Sequence, residues 1–243
     1  MKTSRRYVSL VLFLVVSLVG GADAEARPPV AAVFLIEGTS SFMGNQSYAQ
    51  PNDCRAYAGP GPCRIVKSIP GAHGEVRTAL GAGKQAVAAR LGRDARGALV
   101  TYGTKPRVLV PMGPAPRVTG KRLGSQRSYS GEYGAHLAEG LETALDLLGP
   151  VDADRKVVFI VGGGLVRNRD ELKARFTGAG VALVFLDFHP SAEFAPYDVD
   201  ASAKTVATLT AGADGSRVIS VASPADLASA LRAAVDGWHG ATP

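Results

Sequence analysis

Short unbroken apolar runs alternate with stretches that are apolar on one side only, and this alternation organises the chain. Residues Ala31–Ile36 read AAVFLI, the pattern of a strand buried on both faces. Further strands are expected at Ala98–Tyr102, Val157–Val161, Val181–Leu186 and Val218–Val221. Arg107–Val110 follows the turn Gly103-Thr104-Lys105-Pro106 and reads as the hairpin partner of the second strand. Between these runs the spacing changes to three and four. Val76, Leu80, Gly83, Val87 and Leu91 mark one helix, and Leu137, Leu141, Ala144, Leu145 and Leu148 a clearer one that Gly149-Pro150 stops. Leu172 and Phe176 mark a short helix. Val199, Ala203, Val206 and Thr210 mark another that ends at Gly212. The last helix starts with Ser223-Pro224 and Asp226 and carries Leu227, Leu231, Ala234, Val235 and Trp238.

Strands that alternate with helices predict an α/β domain. Its doubly wound, mostly parallel sheet has about six strands, one of them antiparallel, with helices on both faces. In such sheets ligands bind beyond the carboxyl ends of the strands. Glu37, Gly162 and Asp187 all follow the expected strands, so all three are expected on that rim.

The first strand runs directly into Glu37-Gly38-Thr39-Ser40-Ser41. An acid and two hydroxyls at positions 37, 39 and 41 suit a hard cation, an anion or a partner's carboxylate. They equally suit a strand end whose Thr and Ser satisfy loop backbone or cap the next helix. Residues 44–74 form a long connection rich in Pro, Gly, Asn and Ser, of the kind that is often functional. Residues 112–131 are irregular and carry Arg117, Lys121, Arg122 and Arg127.

Composition changes the picture at three points. Lys2, Arg5 and Arg6 precede the apolar run Tyr7–Val19, and Ala22-Asp23-Ala24 is an A-x-A cleavage signal. Residues 1–24 therefore read as a secretory signal peptide, with export to a periplasm or the exterior and no membrane span after cleavage. The formal net charge is +6, and Lys2, Arg5, Arg6 and Asp23 leave with the signal, so the remaining excess is too modest to indicate nucleic acid. Cys54 and Cys63 are the two cysteines, and in an exported chain they are expected to form a disulfide around RAYAGPGP.

Catalytic motifs are largely absent. After Gly162 and Gly164 the dinucleotide fingerprint fails, because Arg167 stands at its third glycine. There is no phosphate-binding P-loop, no H-E-x-x-H and no G-x-S-x-G. Asp198, Asp200 and Ser202 begin like a calcium loop without its glycine and glutamate. Ser40 or Ser41 with His136 or His189 remains as a hydrolytic pairing.

From about Pro29 to Val235 the chain resembles a von Willebrand factor type A domain. The matching segments are VFLIEGTSSF, GALVTYGTKPRVLVPM, YGAHLAEGLETALDLL, KVVFIVGGG and TLTAGADGSRVISVASPADLASALRAAV, in that order. The implied domain covers residues 29–238. The resemblance also implies a metal-ion-dependent adhesion site, here degenerate. Glu37 replaces the first Asp of D-x-S-x-S, and Thr39 and Ser41 keep its hydroxyls. Ala135 stands at the coordinating Thr and Gly162 at the second Asp. Exchanging Ala135→Thr and Gly162→Asp, with Glu37→Asp if needed, is expected to restore a cation response. The function expected is therefore a secreted, non-enzymatic protein-binding domain without a cofactor. It would present the rim, residues 44–74 and residues 112–131 to a protein partner. The alternatives are cation-dependent adhesion through a Mg²⁺ site rebuilt with Glu132 or Asp187, and a serine hydrolase.

Overall fold

The computed structural model describes residues 30–38, 91, 94–115, 136–162, 164, 166, 168–188, 204–212, 214–221 and 226–239. Six strands form one sheet: β1 (Val30–Glu37), β2 (Arg96–Tyr102), β3 (Arg107–Pro114), β4 (Arg155–Val161), β5 (Val181–Phe188) and β6 (Arg217–Val221). The spatial order is β3-β2-β1-β4-β5-β6. Only the β2–β3 pair is antiparallel, as the turn at residues 103–106 requires. The sequence order reverses at β1, which lies between β2 and β4. Ligands bind at such switch points in open α/β sheets.

The helices among the described residues are α1 (Leu137–Leu148), α2 (Arg169–Gly178), α3 (residues 204–210) and α4 (Leu227–His239). The pleat of β1 divides the core into two layers. Ala31, Val33 and Leu35 pack with Leu137, Leu141, Ala144 and Leu148 of α1, Leu172 and Phe176 of α2, and Val206 and Leu209 of α3. Ala32, Phe34 and Ile36 pack on the other side with Leu227, Leu231, Ala234 and Val235 of α4. Helices thus cover both faces, and the continuous apolar run of β1 has its cause: each side chain from Val30 to Ile36 has a buried layer to enter. On the α4 side the rings of Phe34 and Phe159 stack with centroids 5.2 Å apart.

Two contacts fix the helices against the sheet. Gly140 lies on the buried side of α1, and a Cβ there would come within 2.9 Å of Tyr102 Cβ and 3.1 Å of Leu35 Cδ1. The missing side chain lets α1 approach the sheet this closely. Arg217 at the start of β6 donates from Nη2 to the carbonyls of Ala233 and Ala234 in α4, and burial lowers its guanidinium pKa from the usual value. No helix among the described residues is long and apolar enough to cross a membrane.

The expected strands are all present, each longer than its apolar run: β2 begins at Arg96 and β3 continues to Pro114. Residues 112–114, expected to be irregular, are thus the end of β3, where pairing of Gly113 with Gly97 and Pro114 with Arg96 extends the strand beyond its apolar run. The helix expected over residues 76–91, the helix start at Ser223-Pro224, and the signal segment lie outside the described residues, apart from buried Leu91.

Candidate functional site

The carboxyl ends of four adjacent strands bring one row of residues together. Tyr102 of β2 is directly in register with Glu37 of β1. Ile36 pairs with Val161, so Gly162 follows beside Glu37. Val161 pairs with Leu186, so Asp187 follows beside Gly162. Asp187 in turn is in register with Ser220 of β6. Alternation along each strand directs Tyr102, Glu37 and Asp187 to the face that α1 covers, since Val100, Leu35 and Phe185 belong to that layer. Glu37 and Asp187 lie inside the last turn of pleat of their strands, as the end residue of β1 and the penultimate residue of β5, and only Gly162 lies beyond a strand.

Backbone hydrogen bonds hold the row in place. Gly38 N donates to Tyr102 O at 2.7 Å, so the exit of β1 is tied to β2. His136 N donates to Gly103 O at 3.0 Å, which docks the start of α1 on the end of β2. Gly162 N reaches Leu186 O at 3.5 Å.

Sequence reasoning does not single out Tyr102, yet it organises this end of the sheet. Its side chain is completely buried. A Cβ at Gly162 would meet its hydroxyl at 2.8 Å, although Gly162 lies two strands away from Tyr102. With strands about 4.8 Å apart, the phenol must lie across β1 to reach that point. Glu37 Oε2 converges on the same point at 2.7 Å. Burial raises the Tyr102 hydroxyl well above its ordinary pKa, and the charge of Glu37 raises it further. The tyrosine is therefore a neutral phenol beneath the half-buried Glu37 at any physiological pH. The only sequence signal is a tyrosine closing a strand of small and aliphatic residues, and its register with Glu37 is a tertiary fact.

His136 sits at the N-terminal end of α1, about half exposed, with Nδ1 3.3 Å from Glu139 Oε1. Thr39, Ser40, Ser41, Cys54, Cys63, Glu132, Ala135 and His189 lie outside the described residues.

Of the positions considered for a divalent ion, Glu37, Gly162 and Asp187 are among the described residues, and Thr39, Ser41, Glu132 and Ala135 are not. Gly162 supplies no side-chain oxygen, and the space above it holds the Glu37 carboxylate. Among the described residues no group of three or more His, Cys, Asp or Glu side chains is arranged to hold a metal ion. The described residues by themselves, Glu37, Gly162 and Asp187, do not make up a near-octahedral Mg²⁺ site.

No family model matches the chain, and no curated protein matches it by sequence. Solved structures match it by shape. Proximal thread matrix protein 1 from the mussel byssus superimposes with a TM-score of 0.58 at 13% identity, over 88% of this chain and 47% of that one. A von Willebrand factor type A protein from Catenulispora acidiphila gives 0.56 at 14% identity, over 88% and 43%. The pilus adhesin SpaC from Lactobacillus rhamnosus GG gives 0.56 at 12% identity, over 88% and 30%. The chain thus spans less than half the length of each of these proteins. With the β3-β2-β1-β4-β5-β6 order and one antiparallel edge, the likeness shows that the fold is that of a von Willebrand factor type A domain.

Proposed function

We infer that this chain is an exported, non-enzymatic protein-binding domain that meets its partner with the carboxyl-end rim of the sheet. The observation that carries this reading is the strand-end row at the β1 switch point, where Glu37, Gly38, Gly103 and His136 gather beside the start of α1. Among the described residues the rest of β1 is buried between two helical layers, which leaves its carboxyl end as a place for a partner to meet the sheet's centre. The pilus adhesin among the fold's neighbours supports an adhesive or interaction role, and the residue 1–24 pattern supports export to a periplasm or the exterior.

The test is capture of a partner from the exported fraction by the mature protein, repeated with Thr104→Trp and His136→Ala. Thr104 and His136 are exposed positions at this rim. Retention of one partner by the folded wild type and its loss from both variants supports the reading. Capture that ignores both rim changes refutes it. Labelling of Ser40 or Ser41 by a fluorophosphonate would instead establish the hydrolase alternative.

A further inference from the structure

Gly162 stands where the resemblance expects an acid, and the structure supplies two reasons for a glycine. Its φ is +123°, in the region that side-chain-bearing residues rarely adopt. A Cβ built there would lie 2.5 Å from Glu37 Cβ. That atom is one bond from the β1 backbone and moves only if the strand end moves. The other two close atoms, Glu37 Oε2 at 2.7 Å and the Tyr102 hydroxyl at 2.8 Å, are the ends of side chains, and they show what fills the space instead. With residue 162 in this backbone conformation, a side chain at position 37 and one at position 162 are therefore mutually exclusive.

We propose that Glu37, Gly162 and Tyr102 form a closed, cation-free centre. The Glu37 carboxylate, seated over Gly162 and backed by the buried Tyr102 phenol, takes the space that a second acid and its ion would need. One consequence concerns the Gly162→Asp half of the expectation drawn from the sequence, which combined it with Ala135→Thr. Gly162→Asp does not rebuild an ion site, and neither does Glu37→Asp with Gly162→Asp. Aspartate at position 37 keeps the Cβ that obstructs position 162 as long as residue 162 holds its φ of +123°, so the segment after β4 must first change conformation. A second consequence, resting on the protein-binding reading above, is that a partner meets the rim without a bridging ion and a chelator leaves the complex intact.

The experiment uses the mature protein alone, so its result does not depend on whether a partner exists. Mn²⁺ is titrated into wild type, Glu37→Gln, Asp187→Asn and Gly162→Asp and followed by electron paramagnetic resonance. Thermal midpoints are measured with and without millimolar Mg²⁺, Mn²⁺ or Ca²⁺. The expected result is no saturable Mn²⁺ uptake by the wild type and an unmoved midpoint. A site filled at about 100 times its Kd would raise that midpoint by several degrees. Gly162→Asp is expected to lower the midpoint and to gain no uptake. Saturable Mn²⁺ uptake by the wild type that is lost in Glu37→Gln or Asp187→Asn overturns the proposal. So does saturable uptake by a folded Gly162→Asp. If Gly162→Asp fails to fold, the wild type and Glu37→Gln titrations still decide.

Discussion

Two helical glycines, given the same substitution, should respond with opposite sign. Gly140 lies in α1 against the sheet, and Gly178 ends α2 with nothing within 4 Å of the place a new methyl would take. Alanine in place of a helical glycine gains about 0.5–1 kcal/mol from backbone entropy. At Gly178 that gain stands alone. At Gly140 the new Cβ would be 2.9 Å from Tyr102 Cβ, 3.1 Å from Leu35 Cδ1 and 3.3 Å from Tyr102 Cγ. The Leu35 methyl can rotate, but Tyr102 Cβ is fixed to the β2 backbone, so α1 itself must shift. Overpacking of this kind costs about 1–3 kcal/mol. The entropy gain is common to both variants and cancels in their difference. Gly140→Ala should therefore be about 1–3 kcal/mol less stable than Gly178→Ala. At roughly 2–4 °C per kcal/mol, their thermal midpoints should differ by about 2–12 °C. Far-UV circular dichroism with urea titration of the three proteins measures this directly. If Gly140→Ala rises together with Gly178→Ala, α1 does not approach β1 and β2 as closely as described, and the account of how Tyr102 is pinned fails with it.

Three further outcomes are expected. Phe159→Ala should cost about 3–5 kcal/mol, and a double-mutant cycle with Phe34→Ala should return a coupling of about 0.5–1.5 kcal/mol for the stacked pair. Additive urea-denaturation free energies would contradict the stacking seen at 5.2 Å. The Tyr102 hydroxyl ionises near pH 10 in the unfolded chain and at a higher pH when folded, so above about pH 10 the unfolded state binds fewer protons. Its contribution to stability is intact below pH 10 and is lost as pH rises toward the folded value, by up to about 1.4 kcal/mol per pH unit. Tyr102→Phe should flatten that part of the alkaline stability profile, and an unchanged slope would contradict the raised pKa. Intact mass of the exported protein should place its first residue at Glu25 and show a gain of two alkylatable thiols, Cys54 and Cys63, only after reduction.

The elements were legible in the sequence because their cause is local. An unbroken apolar run such as Val30–Ile36 has one economical use, a strand between two layers, and three-and-four spacing such as that of Leu137, Leu141, Ala144 and Leu148 has one in a helix. The turn at residues 103–106 was enough to make β3 antiparallel, and the sequence order of strands and helices was enough to indicate the fold. The absence of an oxygen-bearing side chain at Gly162 was equally plain.

What the sequence did not contain was distance across the sheet. Tyr102, Glu37 and Asp187 come from three strands and Gly162 follows a fourth, and only pairing register puts them in one row. Hydrophobic pattern marked each strand without saying which residue on the next strand any of its residues would meet. For the same reason Gly162 read as a lost ligand that an aspartate could replace. The φ of +123° and the Glu37 Cβ 2.5 Å from a would-be Cβ are properties of two chain segments brought together. Gly140 likewise looks like a gap in an apolar stripe until Tyr102 is seen beneath it. Local sequence sets which conformations a segment prefers, whereas steric exclusion between segments depends on where the others have packed, and that is why the elements could be read from the chain and the closed end of the sheet required the fold.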